Sequence, residues 1–588
     1  MLIYLDDGIM VEGLMKMKKV NVLIILVISV FSLTLLSGCD GADRSMRLDR
    51  IFADDGVAQA VADELNRYKE TPLTIYDEVL LKDLQEIRYL FVSSGGEIQS
   101  LNGLERLTNL TEFYLMGNQV ICLRPLRNLR NLTRVDILFN EVRDIRPLRN
   151  LTNLTYLDLS GNQIRNVSPL TNLTNLIQLS LWNNQVADIS PLSGLTSLTN
   201  LNLTINEIED INPLASLTNL RLLSLGQNQI RDLQPLENLT NLDILNLNDN
   251  EITDINALAN LLDLEMLYLE NNQINEIDVL INLSDLGGLY LENNQIKEID
   301  ALANLLRLSS LTLAGNQISD LTPLANLTNL EWRLSLGNNQ VRDISPLVNL
   351  LELRNLGLEN NQITDISPLE NLVNLGELNL TGNQISDLTP LANLTNLWWE
   401  LSLGNNQIRD ISPLANLSKL THLDLENNQI TDISPLENLV GMGELNLASN
   451  QINDIIPLAN LSELFSLYLT SNQISDFRPL ANFVRSGPNA SIEAMDQIIE
   501  LPPTTLGSTS PLSLFTTSGK VSSRLCATTG EAFNLEGEYT NIDFTFENEL
   551  LTWHVVGDHI VILEFENYFS VFPYFNLSFI IHQTVTAQ

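Results

Sequence analysis

One asparagine returns with a fixed stride, from Asn118 through Asn140, Asn162 and Asn184 to Asn472, seventeen times in all. The stride is 22 residues, lengthened to 23 only between Asn316 and Asn339 and between Asn383 and Asn406. Ile or Val stands two places after each of these asparagines and Leu eight places after it. Pro stands seven places after it in fourteen units. A unit this short cannot bury its own leucines and isoleucines. Neighbouring units must therefore stack, each covering the apolar side of the last in one continuous core.

The spelling L-x-x-L-x-L-x-x-N-x-I is the leucine-rich repeat signature, with a short strand at x-L-x-L-x. It predicts an α/β solenoid, a curved array of 22-residue units whose strands pair in parallel. At about 4.8 Å per strand the sheet would run roughly 80 Å. The asparagine amide can donate and accept, so it is expected to serve the backbone of its own turn and of the next unit. On the far side, Ser168, Ser190, Ser367 and Ser434 each precede Pro, which reads as Ser at an N-cap and Pro at the first helical position. Turns this short predict a 3₁₀ or irregular outer surface. The stretch "LENNQITDISPLENL" occurs at Leu358–Leu372 and again at Leu425–Leu439, so a block of three units is duplicated whole. Both 23-residue units carry a Trp, Trp332 and Trp399, just before a strand. An extra residue there must bulge, and the indole is expected to cover the bulge.

The chain opens on a different kind of segment. "MKMKK" (Met15–Lys19) precedes an apolar run that ends in Leu36, Ser37, Gly38 and Cys39. A basic stretch, an apolar stretch and small residues mark a secretory signal peptide, and small residues directly before Cys resemble the lipobox of bacterial lipoproteins. That resemblance implies a signal peptide over 1–38, lipid attachment at Cys39, a tether over 39–47 and a protein held outside the membrane. The acidic residues before Met15 place the start of translation at Met15 or Met17. Acids outnumber bases by 72 to 32, a net charge of −40, which argues against nucleic acid, since binding it requires phosphates to be neutralised by Lys and Arg. Cys39, Cys122 and Cys526 lie far apart, so disulfides do not hold this chain together.

The units "GNQIRNVSPLTNLTNL" and "NNQITDISPLENL" resemble the repeats of internalins, surface proteins of some Gram-positive bacteria. The segment around "IFADDGVAQAVADELNRY" resembles the helical N-cap of that family, and Val57, Val61 and Leu65 fall at helical spacing there. After the last repeat, "QIIELPPTTLG" and the strand-like tail resemble the immunoglobulin-like domain that follows internalin repeats. The resemblance implies a helical cap over 48–97, repeats over 98–483 and a C-terminal all-β immunoglobulin-like domain over 484–588. It also implies binding of a protein partner, such as a host cell-surface protein, by the concave face. A glycan is the other ligand class considered.

In register, the exposed strand positions lie six, four and two residues before each asparagine. Aromatic or charged residues there include Arg134, Asp136, Tyr156, Asp158, Trp182, Tyr268, Glu270, Tyr290, Glu292, His422, Asp424 and Glu426. Adjacent units repeat Tyr-x-Glu at Tyr268/Glu270 and Tyr290/Glu292, and aromatic residues of this kind are enriched at binding hot spots. An acid stands four places after the asparagine in fifteen of seventeen units; it reads as a turn residue satisfying nearby backbone amides. Four histidines, His422, His554, His559 and His582, show no metal-ligand spacing. No cofactor motif or nucleophile–base pair stands out, so the expectation is a binding protein and not an enzyme. The second reading is a scaffold that organises neighbours in its own cell envelope.

Overall fold

The computed structural model describes residues 45–69, 71–93 and 97–481, and beyond them the backbone of strands between Ser491 and Thr586. The signal peptide and Cys39 lie outside the described residues. Among those residues no helix is long and apolar enough to cross a membrane.

At the N-terminal end, Ser45–Arg47 pairs antiparallel with Glu78–Leu80, followed by helices α1 (Leu48–Ile51) and α2 (Asp55–Asn66). Asp54 starts α2 by accepting the Gly56 N–H at 3.0 Å, the usual duty of an N-cap carboxylate. Val57, Val61 and Leu65 line one side of the helix and are buried against the strand Tyr89–Ser93. An array whose end coil exposes leucines needs such a cover.

The chain divides into two units, residues 1–207 and 208–588. In the first, strands Tyr89–Ser93, Glu112–Met116, Arg134–Leu138, Tyr156–Asp158, Gln178–Ser180 and Asn200–Asn202 pair in parallel in chain order. In the second, the same ladder runs from Leu222–Ser224 to Ser466–Tyr468. Register is kept by leucine against leucine: Leu245, Leu267, Leu289 and Leu311 pair in sequence and are fully buried. A slip by one residue would turn these side chains out to water.

The residue before each repeat asparagine lies in the turn that follows the strand. All seventeen have φ between about +50° and +71°, the left-handed region that Gly and Asn tolerate best. Four are Gly and seven are Asn, which explains the recurring "GN" and "NN". The repeat asparagine then closes the turn. Asn294 Oδ1 accepts the Ile274 N–H at 2.9 Å, and its Nδ2 donates to Leu291 O at 3.1 Å and Leu269 O at 3.0 Å. The partners are its own turn and the preceding unit, where the sequence reading expects the next one. Parallel pairing gives the reason. Leu269 turns its N–H and C=O toward the same neighbour; the N–H meets Tyr290 O at 2.9 Å, but no strand amide remains for the C=O. The Asn294 and Asn272 side-chain amides supply it, at 3.0 and 3.1 Å.

The outer side is a series of 3₁₀ turns of three to five residues. Ser190 is the first residue of its turn and not the N-cap; Ile189 holds the cap position with no side-chain cap bond. The capping oxygen comes from the acid two residues earlier. Asp188 Oδ1 accepts the Ser190 N–H at 2.9 Å, and Asp343, Asp365 and Asp432 do the same for Ser345, Ser367 and Ser434 at 2.8 Å. Hydrogen bonds from the Ser190 side chain and backbone hold the Asp188 carboxyl below its usual range. The recurrent acid is thus a turn cap.

The 23-residue units bulge just before the strand. The flanking buried leucines Leu330 and Leu334 stand four residues apart where Leu176 and Leu179 of an ordinary unit stand three apart, while Ser310 still pairs with Arg333. The indoles do not cover the bulge: Trp332 is 55% exposed and Trp399 45%. The coil's interior is already filled by Leu330 and Leu334, both fully buried, so the large ring is directed outward. In the tail, Gly557–Glu566 pairs antiparallel with Phe575–Thr586; the immunoglobulin-like domain expected there falls largely outside the described residues.

Candidate functional site

Parallel strands with leucines turned inward present the intervening residues on one outward face. In the unit of residues 208–588 its centre is Tyr268 and Tyr290, paired in register. Their rings are 4.5 Å apart and 5° from parallel, a spacing set by adjacent strands. Gly288, beside Tyr290, leaves room for the Met266 side chain, whose Sδ would lie 2.7 Å from a Cβ there.

Beside the rings, Glu270 is half-buried, and its Oε2 has no hydrogen-bond partner among the described residues. Burial pushes its carboxyl up to about 7, and the neighbouring Glu292 and Asp249 carboxylates push the same way. Backbone hydrogen bonds from Glu270 and Leu269 oppose that rise, but a partly desolvated acid with one open oxygen is costly, and a cationic or N–H donor group would relieve it. Below it runs a short amide ladder, with Asn271 donating to Asp249 and Asn293 to Asn271, each at 2.8 Å.

A second cluster lies further along the same unit. The ring of His422 is 4.6 Å from Trp399 and 6.5 Å from Phe465, and its Nδ1 lies 2.9 Å from Thr421 Oγ1. Asp424 accepts the Glu426 N–H at 3.0 Å, and burial raises its carboxyl above the usual range. Glu426 in turn accepts from Asn446 Nδ2 at 3.2 Å. Trp332, Trp398 and Trp399 line a cleft of about 520 Å³ with Arg354, Asn355 and Glu377, and the Arg354 guanidinium lies 4.7 Å over the Trp332 ring.

In the unit of residues 1–207 the marked residues are held by one another. Arg134 lies 3.7 Å over the Tyr156 ring and 5.3 Å from that of Tyr114, and pairs with Asp136 at 3.0 Å. Asp158 accepts the Ser160 N–H at 2.9 Å. Trp182 meets Phe139 edge-on at 5.8 Å. The sequence reading passes over Tyr114, although the same register marks it four places before Asn118. Tyr114 donates to Glu112 at 2.7 Å, and burial, more than that bond, pushes its phenol up to about 12. Trp398 and Phe465 were missed because they precede the strand positions that the register marks.

Among the described residues no His, Cys, Asp and Glu group is arranged to hold a metal. Aromatic faces, amides and acids on rigid strands can dock a partner.

The repeat fold is shared with known proteins. A family model of leucine-rich repeats in two copies matches residues 130–172, 174–216, 218–260, 351–393 and 400–438. No curated protein matches. Among solved structures, a leucine-rich repeat protein of Leptospira interrogans is 24% identical, with a TM-score of 0.53, over 66% of this chain and 97% of that one. The repeat ectodomain of a plant membrane receptor kinase from Arabidopsis thaliana, solved with Casparian strip integrity factor 2, is 24% identical. Its TM-score is 0.56 over 68% of this chain and 55% of that one. An internalin from Listeria monocytogenes is 31% identical over 72% of this chain and 97% of that one, with a TM-score of 0.35.

Proposed function

Because the chain belongs to the leucine-rich repeat proteins, we propose that it is an internalin-like surface protein that binds a protein partner on its strand face. The stacked Tyr268–Tyr290 pair beside Glu270, whose Oε2 has no hydrogen-bond partner among the described residues, carries this reading. Two aromatic faces supply apolar contact at low entropic cost, and the acid selects a partner with a basic or N–H-rich group opposite. Glu292 lies on the same face, and His422, Asp424 and Glu426 form a second contact area. Tyr156, Asp158 and Trp182 form a third on the other unit, and a glycan is the alternative ligand for any of the three.

Attachment is assigned to a lipid on Cys39 after removal of residues 1–38, with 39–47 as tether, 48–97 as cap, 98–483 as repeats and 484–588 as an immunoglobulin-like domain. Adhesion is the role that follows. Protease treatment of intact producing cells tests the attachment. It should degrade the protein, and Cys39→Ser should release it from the membrane fraction. Protection in intact cells, or unchanged membrane retention of the variant, would refute surface attachment through this residue.

A further inference from the structure

We propose that Arg124, Arg127 and Arg149, with Arg146, form a binding site for phosphate groups on the 3₁₀ side of the first repeats. This site is separate from the strand face and does not rest on the reading above. The four arginines occupy the sixth and ninth positions after Asn118 and Asn140. Adjacent coils therefore set two pairs of guanidinium groups side by side. The following units hold Ser168 and Thr171, Ser190 and Ser193, then Asn212 and Ala215 at these places, so the fold itself does not call for arginine.

The local charge departs from that of the chain. Residues 121–150 contain seven arginines and three acids, in a chain with 72 acids and 32 bases. All four side chains are exposed, while packing in these turns is done by the buried Leu126 and Leu148. They line a cleft of about 240 Å³ with Asp144, Pro147 and Asn150. Asp144 pairs with Arg146 at 2.7 Å. Arg124, Arg127 and Arg149 have no ion pair among the described residues; Arg124 lies near enough to Asp144 to help lower its carboxyl, so one acid faces four guanidinium groups that repel one another. An anion at the centre would reverse that repulsion.

Phosphate suits the cleft better than carboxylate. It offers three or four acceptor oxygens to several planar donor forks at once, and arginine is the side chain that binds such groups in pairs of hydrogen bonds. The volume, about 240 Å³, admits one or two phosphate groups.

The test uses the full chain in a non-ionic detergent, titrated calorimetrically with inorganic pyrophosphate and, separately, with citrate. A parallel arm measures partition onto vesicles of phosphatidylcholine with or without phosphatidylglycerol. Wild type should bind pyrophosphate more tightly than citrate. The triple variant Arg124→Gln/Arg127→Gln/Arg149→Gln should bind it about tenfold more weakly, whereas Arg342→Gln/Arg409→Gln should not differ from wild type. A phosphatidylglycerol preference lost in the triple variant would assign the phosphate to a lipid headgroup. Pyrophosphate binding without that preference would assign it to a soluble phosphate. Citrate binding as tight as pyrophosphate, no pyrophosphate binding, or binding unchanged in the triple variant would overturn the proposal.

Discussion

The rings of Tyr268 and Tyr290 lie 4.5 Å apart and 5° from parallel, contributed by the same register position of adjacent coils. Both are half-buried on the strand face, while Asn294, four places after Tyr290, is buried in the turn. The two kinds of residue should answer to different measurements. Tyr268→Ala removes one ring contact and should cost under about 1 kcal/mol. Asn294→Ala strands the Ile274 amide and leaves Leu269 O and Leu291 O with the Asn272 and Asn316 amides as their remaining side-chain donors; it should cost about 1–3 kcal/mol. Urea midpoints compare them directly; equal losses would mean that the register assigns the faces wrongly.

Ile205 sits at φ 56°, in a region that a β-branched side chain enters at a cost of about 1–2 kcal/mol. Seven other units place Asn there. Ile205→Asn should therefore stabilise residues 1–207 by about 1 kcal/mol. Hydrogen exchange of the buried Leu201 and Leu203 amides is the readout, and faster exchange in the variant would contradict the strain.

Glu270 titrates near 7 when folded, against a usual 4.5. Since the folded state holds this proton more tightly than the unfolded chain, stability should fall as pH rises from about 4.5 through 7. Glu270→Gln should flatten that slope and stabilise the protein above pH 7 by about 1–2 kcal/mol, less than the full shift because water screens its exposed side. A wild-type stability that rises over this interval, with the same profile in the variant, would count against it.

A Cβ on Gly376 would meet Trp398 Nε1 at 2.6 Å. The indole is the movable partner, so Gly376→Ala should displace the ring and shift its fluorescence while costing under about 1 kcal/mol. An unchanged spectrum would show that the ring does not rest over Gly376.

Much of this was legible in the sequence because a repeat states its rule many times. The asparagine register marked the strands and the leucine ladder, and the acid of each turn showed itself as a backbone partner. Other features follow from geometry that side-chain spacing does not encode. The left-handed residue before each asparagine is sometimes Gly or Asn, but Phe139 and Ile205 conceal the pattern. Ser before Pro suggested a cap, yet the backbone enters the turn one residue sooner and Asp188 does that work. Trp332 looked like a cover because an inserted residue must bulge. The coil interior had no space for it. The stacking of Tyr268 on Tyr290 was foreseeable from register, whereas the unpaired Glu270 oxygen depends on what surrounds it in three dimensions.

The most direct test of the strand-face account is saturation binding of the purified, fluorescently labelled protein from residue 44 onward. It would be applied to intact animal cells and to cells of the producing organism. A folded variant with Tyr268, Glu270, Tyr290 and Glu292 all changed to Ala serves as the comparison. We predict saturable binding by wild type to the animal cells, weakened at least about tenfold in the variant. Equal binding by both proteins would contradict the assignment of the face, and binding confined to the envelope of the producing cells would contradict adhesion and favour a scaffold.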